Sequence, residues 1–295
     1  MTRSSGARLS SSTQKAESWT IRKVLDWTRT YLAEKGVENS RLEAEWLLAE
    51  TLRTDRMGLY LNLDKPLHAG ELAAFRAVVA RRARREPLQY ILGTQEFMGL
   101  DFKVTPAVLI PRHDTEVLVE EALRRAAPGA RILDIGTGSG CIAIVLAKRL
   151  AEASVVAVDI SAEALGVARE NAAANDVTVD FRLGSLLAAV RSEIFDVIVS
   201  NPPYIPAGDL AGLQPEVRDF EPPAALDGGA DGLEVYRVLV PEALAQLAPG
   251  GWLVVELGIG QAEAVADLFR ATGFMDIFTS RDPGSIDRVV GGRRP

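Results

Sequence analysis

The chain has 295 residues, 47% hydrophobic and 25% charged, with a formal net charge of −7 and a sequence pI near 5.1. This length allows one large or two modest domains, the composition is that of a soluble globular protein, and the acidic balance argues against a mainly electrostatic nucleic-acid binder. A single cysteine, Cys141, excludes an intramolecular disulfide, and with only two histidines, far apart in the chain, no zinc set is expected. No apolar run reaches membrane-spanning length and the N-terminus lacks the apolar core of an export signal, so a cytoplasmic location is the default expectation.

Residues 1–17 are rich in serine and poor in large apolar residues, which predicts disorder. From Trp19 onward, Ile21, Val24, Leu25, Thr28, Tyr31 and Leu32 recur at helical spacing. Asn39 or Ser40 can cap a second helix carrying Leu42, Trp46, Leu47 and Leu52, and a third pattern runs from about 69 to 85. Residues 18–86 are therefore expected to form a small helical domain. Its run Arg81, Arg82, Ala83, Arg84, Arg85 is the most basic stretch of the chain. It reads as a solvated helix end favoured by the dipole, with a contact surface for a partner as the alternative.

Residues 87–108 are short, glycine-punctuated segments alternating around Phe97, Leu100, Phe102 and Val104, which predicts a β-hairpin linker with arms near 89–93 and 96–104. Leu-Ile-Pro-Arg-His-Asp-Thr-Glu follows at 109–116, where Asp114 suits the N-cap of a helix carrying Val117, Leu118 and Leu123. Beyond it, strand patterns at 131–135, 154–158, 177–183, 195–200 and 252–257 alternate with helical patterns at 141–150, 161–174, 232–247 and 260–272. Extended runs at 274–280 and 286–291 close the chain. The alternation predicts a doubly wound α/β domain over 109–295 with a mostly parallel sheet.

Two stretches carry chemistry. Asp-Ile-Gly-Thr-Gly-Ser-Gly at 134–140 ends the first strand, and Gly136, Gly138 and Gly140, with Thr137 and Ser139 between them, let the backbone approach a ligand closely. The dinucleotide fingerprint requires its third glycine one position later, where Cys141 stands, and the Lys-Ser/Thr pair of a P-loop is absent. Cys141 itself has no base nearby in sequence and reads as packing. Asp159 ends the second strand where a carboxylate can take both ribose hydroxyls; its competing use as a helix cap falls equally to Ser161.

Asn-Pro-Pro-Tyr at 201–204 follows the fourth strand. Pro202 and Pro203 fix φ twice and remove two N–H donors, making a stiff elbow at the carboxyl end of a strand. The Asn201 side-chain carbonyl and the backbone carbonyls beside the prolines form a set of acceptors suited to an NH2 group, and Tyr204 adds a flat face for a planar group.

Together these residues give the chain a resemblance to class I methyltransferases that use S-adenosylmethionine, and more narrowly to the bacterial release-factor glutamine methyltransferases, the PrmC/HemK family. The similar segments are 93–97, 109–116, 134–140, 199–205 and 282–289, and the likeness covers roughly 19–292. It implies a seven-stranded sheet with the helical region as the partner-docking domain. The implied reaction transfers a methyl group to the amide nitrogen of the glutamine in the Gly-Gly-Gln loop of class I peptide chain release factors. The cofactor would lie against residues 136–140, Asp159, Ser185, Leu186 and Asn201, and the glutamine against Asn201, Pro202, Pro203 and Tyr204, with Asn201, Pro202 and Tyr204 catalytic. No metal is implied, and a monomer without direct nucleic-acid binding is expected. Two positions depart from the family pattern: His113 replaces a usual proline, and Ser185 and Leu186 stand where an acidic residue and an aromatic commonly hold adenine. The alternative is an N6-adenine methyltransferase on DNA or RNA, which uses a similar elbow on a flipped base.

Overall fold

The computed structural model describes residues 18–295, so the expected disorder at 1–17 lies outside the described residues. Two compact units divide between Arg85 and Glu86. Among the described residues no helix is long and apolar enough to cross a membrane.

The first unit is helical. Helix α1 (Ile21–Glu34) starts where the Thr20 hydroxyl accepts the Lys23 N–H, and it buries Ile21, Val24, Thr28 and Leu32 along one stripe. Helix α2 (Ser40–Leu52) follows, with Asn39 at its cap position making no side-chain bond. A short helix α3 (Arg56–Leu61) had no counterpart in the hydrophobic pattern; Asp55 initiates it by accepting the Gly58 N–H at 2.7 Å. Helix α4 (Ala69–Ala83) opens with a capping box between His68 and Glu71.

The polar groups of this unit are largely committed to its own structure. Glu45 is buried, and burial pushes its carboxyl up, but hydrogen bonds from Tyr60, Arg56 and Arg41 outweigh that and hold it below its ordinary value. In the basic run, Arg82 is buried against Glu43, and Arg85 donates to the Gly36 carbonyl at 2.9 Å.

The second unit begins with α5 (Leu88–Leu92), where an extended arm was expected. Pro87 occupies its N-cap and Gly93, at φ 79°, ends it in the left-handed conformation. The hairpin arms are β1 (Thr94–Phe97) and β2 (Leu100–Lys103), paired antiparallel. Next come α6 (Glu116–Arg125), β3 (Arg131–Ile135), α7 (Cys141–Arg149), β4 (Ser154–Asp159), α8 (Ala162–Ala174), β5 (Asp180–Leu183) and β6 (Phe195–Ser200). After α9 (Pro215–Phe220), α10 (Glu234–Gln246), β7 (Leu247–Glu256) and α11 (Ala262–Thr272), the chain ends in β8 (Met275–Arg281) and β9 (Asp287–Arg293). The seven-stranded sheet has the order β5-β4-β3-β6-β7-β9-β8, parallel from β5 to β7, with β9 antiparallel to both β7 and β8.

Its inner strands are apolar on both sides, as parallel strands covered on two faces must be. Ile132, Val197, Val199 and Val254 face a cluster with α6, α7 and the hairpin residues Phe97 and Phe102. Leu133, Ile135, Ile198 and Val255 face the other way, onto α10 and α11. The hairpin is thus part of a core layer. Its end is tied down by Asn171 of α8, which accepts the Lys103 N–H at 2.7 Å and donates to the Lys103 carbonyl at 3.0 Å.

Candidate active site

The chain leaves β3 toward β4 and β5 on one side, then returns to place β6 and β7 on the other. A crevice opens outside the carboxyl ends of the strands where the order reverses, between β3 and β6. Each strand there ends in a polar residue: Asp134 near the end of β3, Asp159 on β4, Asn201 just past β6 and Glu256 on β7. A cavity of about 460 Å3 lies at this edge, inside the usual range of about 300–1,000 Å3 for small-molecule sites.

Gly136, Gly138 and Gly140 all take positive φ, at 73°, 55° and 83°. A Cβ built on Gly136 or Gly138 would meet nothing within 4 Å, so their backbone is bare toward the cavity they line. Gly140 faces inward instead, where a Cβ would lie 3.0 Å from Ile144 and 3.1 Å from Ala168. The turn is held from below: the Gly136 N–H donates to the Val158 carbonyl at 2.8 Å and the Gly138 N–H to the Asp159 carboxylate at 2.8 Å. The second oxygen of Asp159 accepts the Ser161 N–H at 2.8 Å, while Ser161 caps α8 through its hydroxyl. Asp159 thus steadies the loop and keeps lone pairs to offer on the cavity wall.

The expected cofactor residues divide in two. Gly136, Gly138, Asp159, Ser185, Leu186 and Asn201 line the cavity, together with Pro202 and Pro203. Thr137 and Ser139 are buried behind it and do not line it. The Thr137 hydroxyl donates to Asp134 at 2.6 Å, and the Ser139 carbonyl accepts from Asn171 at 2.8 Å. Burial pushes the Asp134 carboxyl up to about 7. Cys141 is buried and its thiol is pushed up to about 12, chiefly by burial, which fits a packing role. Sequence reasoning missed Ile160, a largely exposed apolar side chain on the cavity wall next to Asp159.

Asn201 stands at the boundary of two spaces. It lines the large cavity and also a recess of about 100 Å3 shared with Leu109, Arg112 and Tyr204. Its amide Nδ2 donates to the Thr115 hydroxyl at 3.2 Å, which leaves the carbonyl oxygen as the free end of the side chain. Tyr204 is held at both ends. Its backbone carbonyl accepts from Gln261 at 2.9 Å, and its hydroxyl lies 3.5 Å from Glu256. Burial, then the nearby Glu256, raise its phenol well above the ordinary range, so it stays neutral.

The 109–116 segment is the frame of this elbow. Arg112 pairs with the buried Glu221 beyond α9, and Glu221 also takes the Ile110 N–H at 3.4 Å. Asp114 does not cap α6: that helix starts at Glu116, with Asp114 in a short 3-10 turn (His113–Thr115), and its carboxylate pairs with Arg288 at 2.7 Å. Arg288 in turn meets Asp282 at 2.9 Å, which joins 109–116 to 282–289. A cap needs only local chain; this ion pair drew the carboxylate toward a partner far along the sequence. His113 stays exposed, 3.1 Å from Glu116.

Glycine close to the elbow is a packing requirement. Gly232 has φ 77°, and a Cβ there would lie 2.3 Å from the Tyr204 carbonyl oxygen. Gly232→Ala is expected to lose more than the roughly 1–2 kcal/mol that a left-handed side chain costs by itself, read as a lowered thermal midpoint, and to displace Tyr204. An unchanged midpoint would show that the elbow yields to the methyl group.

Residues 23–93 match the family described as PrmC N-terminal domain, and residues 113–211 that described as Methyltransferase small domain. The chain is 66% identical to "Release factor glutamine methyltransferase" of Geobacter sulfurreducens, over 95% of its own length and 99% of that protein's. It is 43% identical to the protein of the same name from Koribacter versatilis, over 94% of its length and 99% of that one's. A methyltransferase structure from Pyrococcus furiosus superimposes with a TM-score of 0.51 at 22% identity, covering 73% of this chain and 98% of that one, a likeness of fold alone.

Proposed function

Because the chain belongs to the release factor glutamine methyltransferase family, we propose that it methylates the side-chain amide nitrogen of the glutamine in the Gly-Gly-Gln loop of class I peptide chain release factors, with S-adenosylmethionine as donor. The observation that carries this reading is Asn201, whose carbonyl is left free between a cavity and a recess by the bond from its Nδ2 to Thr115.

The cofactor fits the large cavity. Gly136 and Gly138 offer bare backbone to its methionine part and Asp159 two carboxylate oxygens to the ribose. Ile160, Leu186 and Val238 give adenine an apolar wall in place of an aromatic ring, and Ser185 contributes one hydroxyl. When bound, the sulfonium supplies an electrophilic methyl group. The chain supplies geometry. A glutamine amide is a poor nucleophile, since its lone pair is delocalised into the carbonyl. The Asn201 side-chain carbonyl and the Pro202 backbone carbonyl accept its two hydrogens, fix the nitrogen, and favour the geometry in which that lone pair is less shared. The same acceptors stabilise positive charge as it grows on nitrogen. Tyr204 flanks the amide with its neutral ring. A strong general base is not needed, because the nitrogen becomes acidic once the methyl group has arrived. The helical unit is the docking part for the protein substrate.

The test is intact-mass analysis of a purified class I release factor after incubation with this protein and S-adenosylmethionine, followed by peptide mapping. The expected result is a gain of one methyl group on the glutamine of the Gly-Gly-Gln loop. No gain, in a protein that demonstrably binds the cofactor, overturns the substrate assignment and turns the search to exocyclic amines of nucleic acids.

A further inference from the structure

A primary amide has two N–H hydrogens to give and a carbonyl oxygen that accepts. The proposed chemistry directs the hydrogens to Asn201 and Pro202 and leaves the oxygen without a donor, which is unfavourable for a buried group. The recess beside Asn201 holds about 100 Å3, and Leu109, Ile205, Val217 and Leu226 give it apolar walls suited to a glutamine stem. The Ile205, Val217, Ala225 and Leu226 N–H groups are committed to backbone carbonyls at 2.9 or 3.0 Å. Among the side chains, the Asn201 Nδ2 is bonded to Thr115, and the Tyr204 hydroxyl lies 3.5 Å from Glu256. Arg112 is the remaining side-chain donor on the recess wall.

The Arg112 side chain is 37% exposed, and one of its terminal nitrogens, Nη2, donates to Glu221 Oε1. Its Nε and Nη1 have no partner among the described residues. Glu221 is 3% exposed, and its Oε2 accepts the Ile110 N–H at 3.4 Å. We propose that Arg112 donates to the carbonyl oxygen of the substrate amide, and that Glu221, by cancelling the Arg112 charge, makes the recess choose an amide over a carboxylate. The inference rests on the glutamine-methylation reading and names what sets its selectivity.

The neutrality of the pair matters twice. A glutamate carboxylate has no hydrogen for the Asn201 and Pro202 acceptors, and their oxygens repel its charge. A lone guanidinium would offset that repulsion through a bidentate ion pair. One already paired with Glu221 offers a hydrogen bond without a net charge. A bare cation on the amide oxygen would also draw the nitrogen lone pair deeper into the carbonyl and weaken the nucleophile. Glu221 is therefore a positioning residue that tempers the charge while Arg112 keeps its donors.

The experiment gives the full-length protein a class I release factor as substrate and its Gly-Gly-Glu variant as competitor, at mildly alkaline pH, with cofactor binding measured alongside. Wild type should bind the Gly-Gly-Gln factor more tightly than the Gly-Gly-Glu one. Glu221→Gln keeps the shape and an oxygen for the Ile110 N–H but frees the guanidinium charge. Its affinity ratio should move at least about tenfold toward Gly-Gly-Glu, the size of one charge-assisted hydrogen bond, and its kcat on Gly-Gly-Gln should fall. Arg112→Lys keeps the charge and gives up the planar fork; it should lose about 10–100-fold in kcat/KM with cofactor affinity unchanged. Arg112→Met combined with Glu221→Gln leaves no lone buried charge, and it should show no gain of carboxylate binding.

An unchanged ratio in Glu221→Gln, or an equal change in the double variant, overturns the charge role. Wild-type kcat/KM in Arg112→Lys overturns the donor role. A second readout needs no methylation. In 15N-labelled full-length protein, the Arg112 Nε signal should shift on adding N-acetylglutamine methylamide and respond more weakly to the glutamate counterpart. A signal indifferent to both overturns the contact. If wild type leaves release factors unmethylated while the Nε signal responds, the functional reading fails and the choice of amide over carboxylate stands.

Discussion

Asn201→Ala is expected to bind S-adenosylmethionine almost as wild type does and to lose at least roughly 100-fold in single-turnover methylation, as for removal of one preorganised polar group. The expectation follows from where the side chain sits. Its amide Nδ2 donates to Thr115, and the residue lines both the cavity and the recess. On the proposed chemistry, truncation takes one of two acceptors from the substrate nitrogen. It leaves the glycine turn and Asp159 intact, because neither uses Asn201 as a partner. Calorimetry with the cofactor, beside rapid-quench methylation of a release factor, separates the two effects. A near-normal rate would remove Asn201 from the chemistry. A large loss of cofactor affinity would make it a wall of the cavity and nothing more.

Asp159→Ala is expected to do the reverse. Two hydrogen bonds from ribose to a charged group are worth about 1.5–3 kcal/mol each, so cofactor affinity should fall at least about 100-fold. At saturating cofactor the rate should return toward wild type, since the role proposed for Asp159 is on the ribose and not on the methyl group. A part of the loss is indirect, because the Gly138 and Ser161 N–H groups lose their acceptor. Asp159→Asn keeps one carbonyl and should fall between the two. Unaltered affinity in both variants would reassign Asp159 to bracing the glycine turn.

The sequence carried the sheet well because its inner strands are covered on both faces. Ile132, Leu133 and Ile135 on one strand and Val197, Ile198 and Val199 on another put apolar residues on both faces, as a buried parallel strand requires. The glycine turn and the elbow were legible for a related reason: both depend on backbone chemistry that glycine and proline declare openly. What escaped was set by distant partners. Asp114 has the chemistry of an N-cap, and only the fold brings Arg288 within 2.7 Å of it. Leu88–Leu92 carries Tyr90, Ile91 and two leucines, which serve a strand equally well, and it forms a helical turn that Gly93 ends in the left-handed conformation. Tyr204 and Glu256 lie far apart in the chain, so their approach to 3.5 Å could not be read. A weaker signal was present nonetheless. Glu256 is a carboxylate at the end of an apolar run, as Asp159 is, and a charge at that register of a buried strand points to the ligand edge of the sheet.

The buried hairpin bears on how such chains diversify. Phe97 and Phe102 are core residues of the second unit, and Asn171 is spent on Lys103, so the segment cannot be inherited as part of a detachable recognition module. The seam available for recombination lies between Arg85 and Glu86, ahead of the hairpin. A lineage that exchanged its helical unit at that seam would keep the hairpin with the sheet it packs on. One that cut at 109 would strand Asn171 and open two aromatic-sized holes against the sheet.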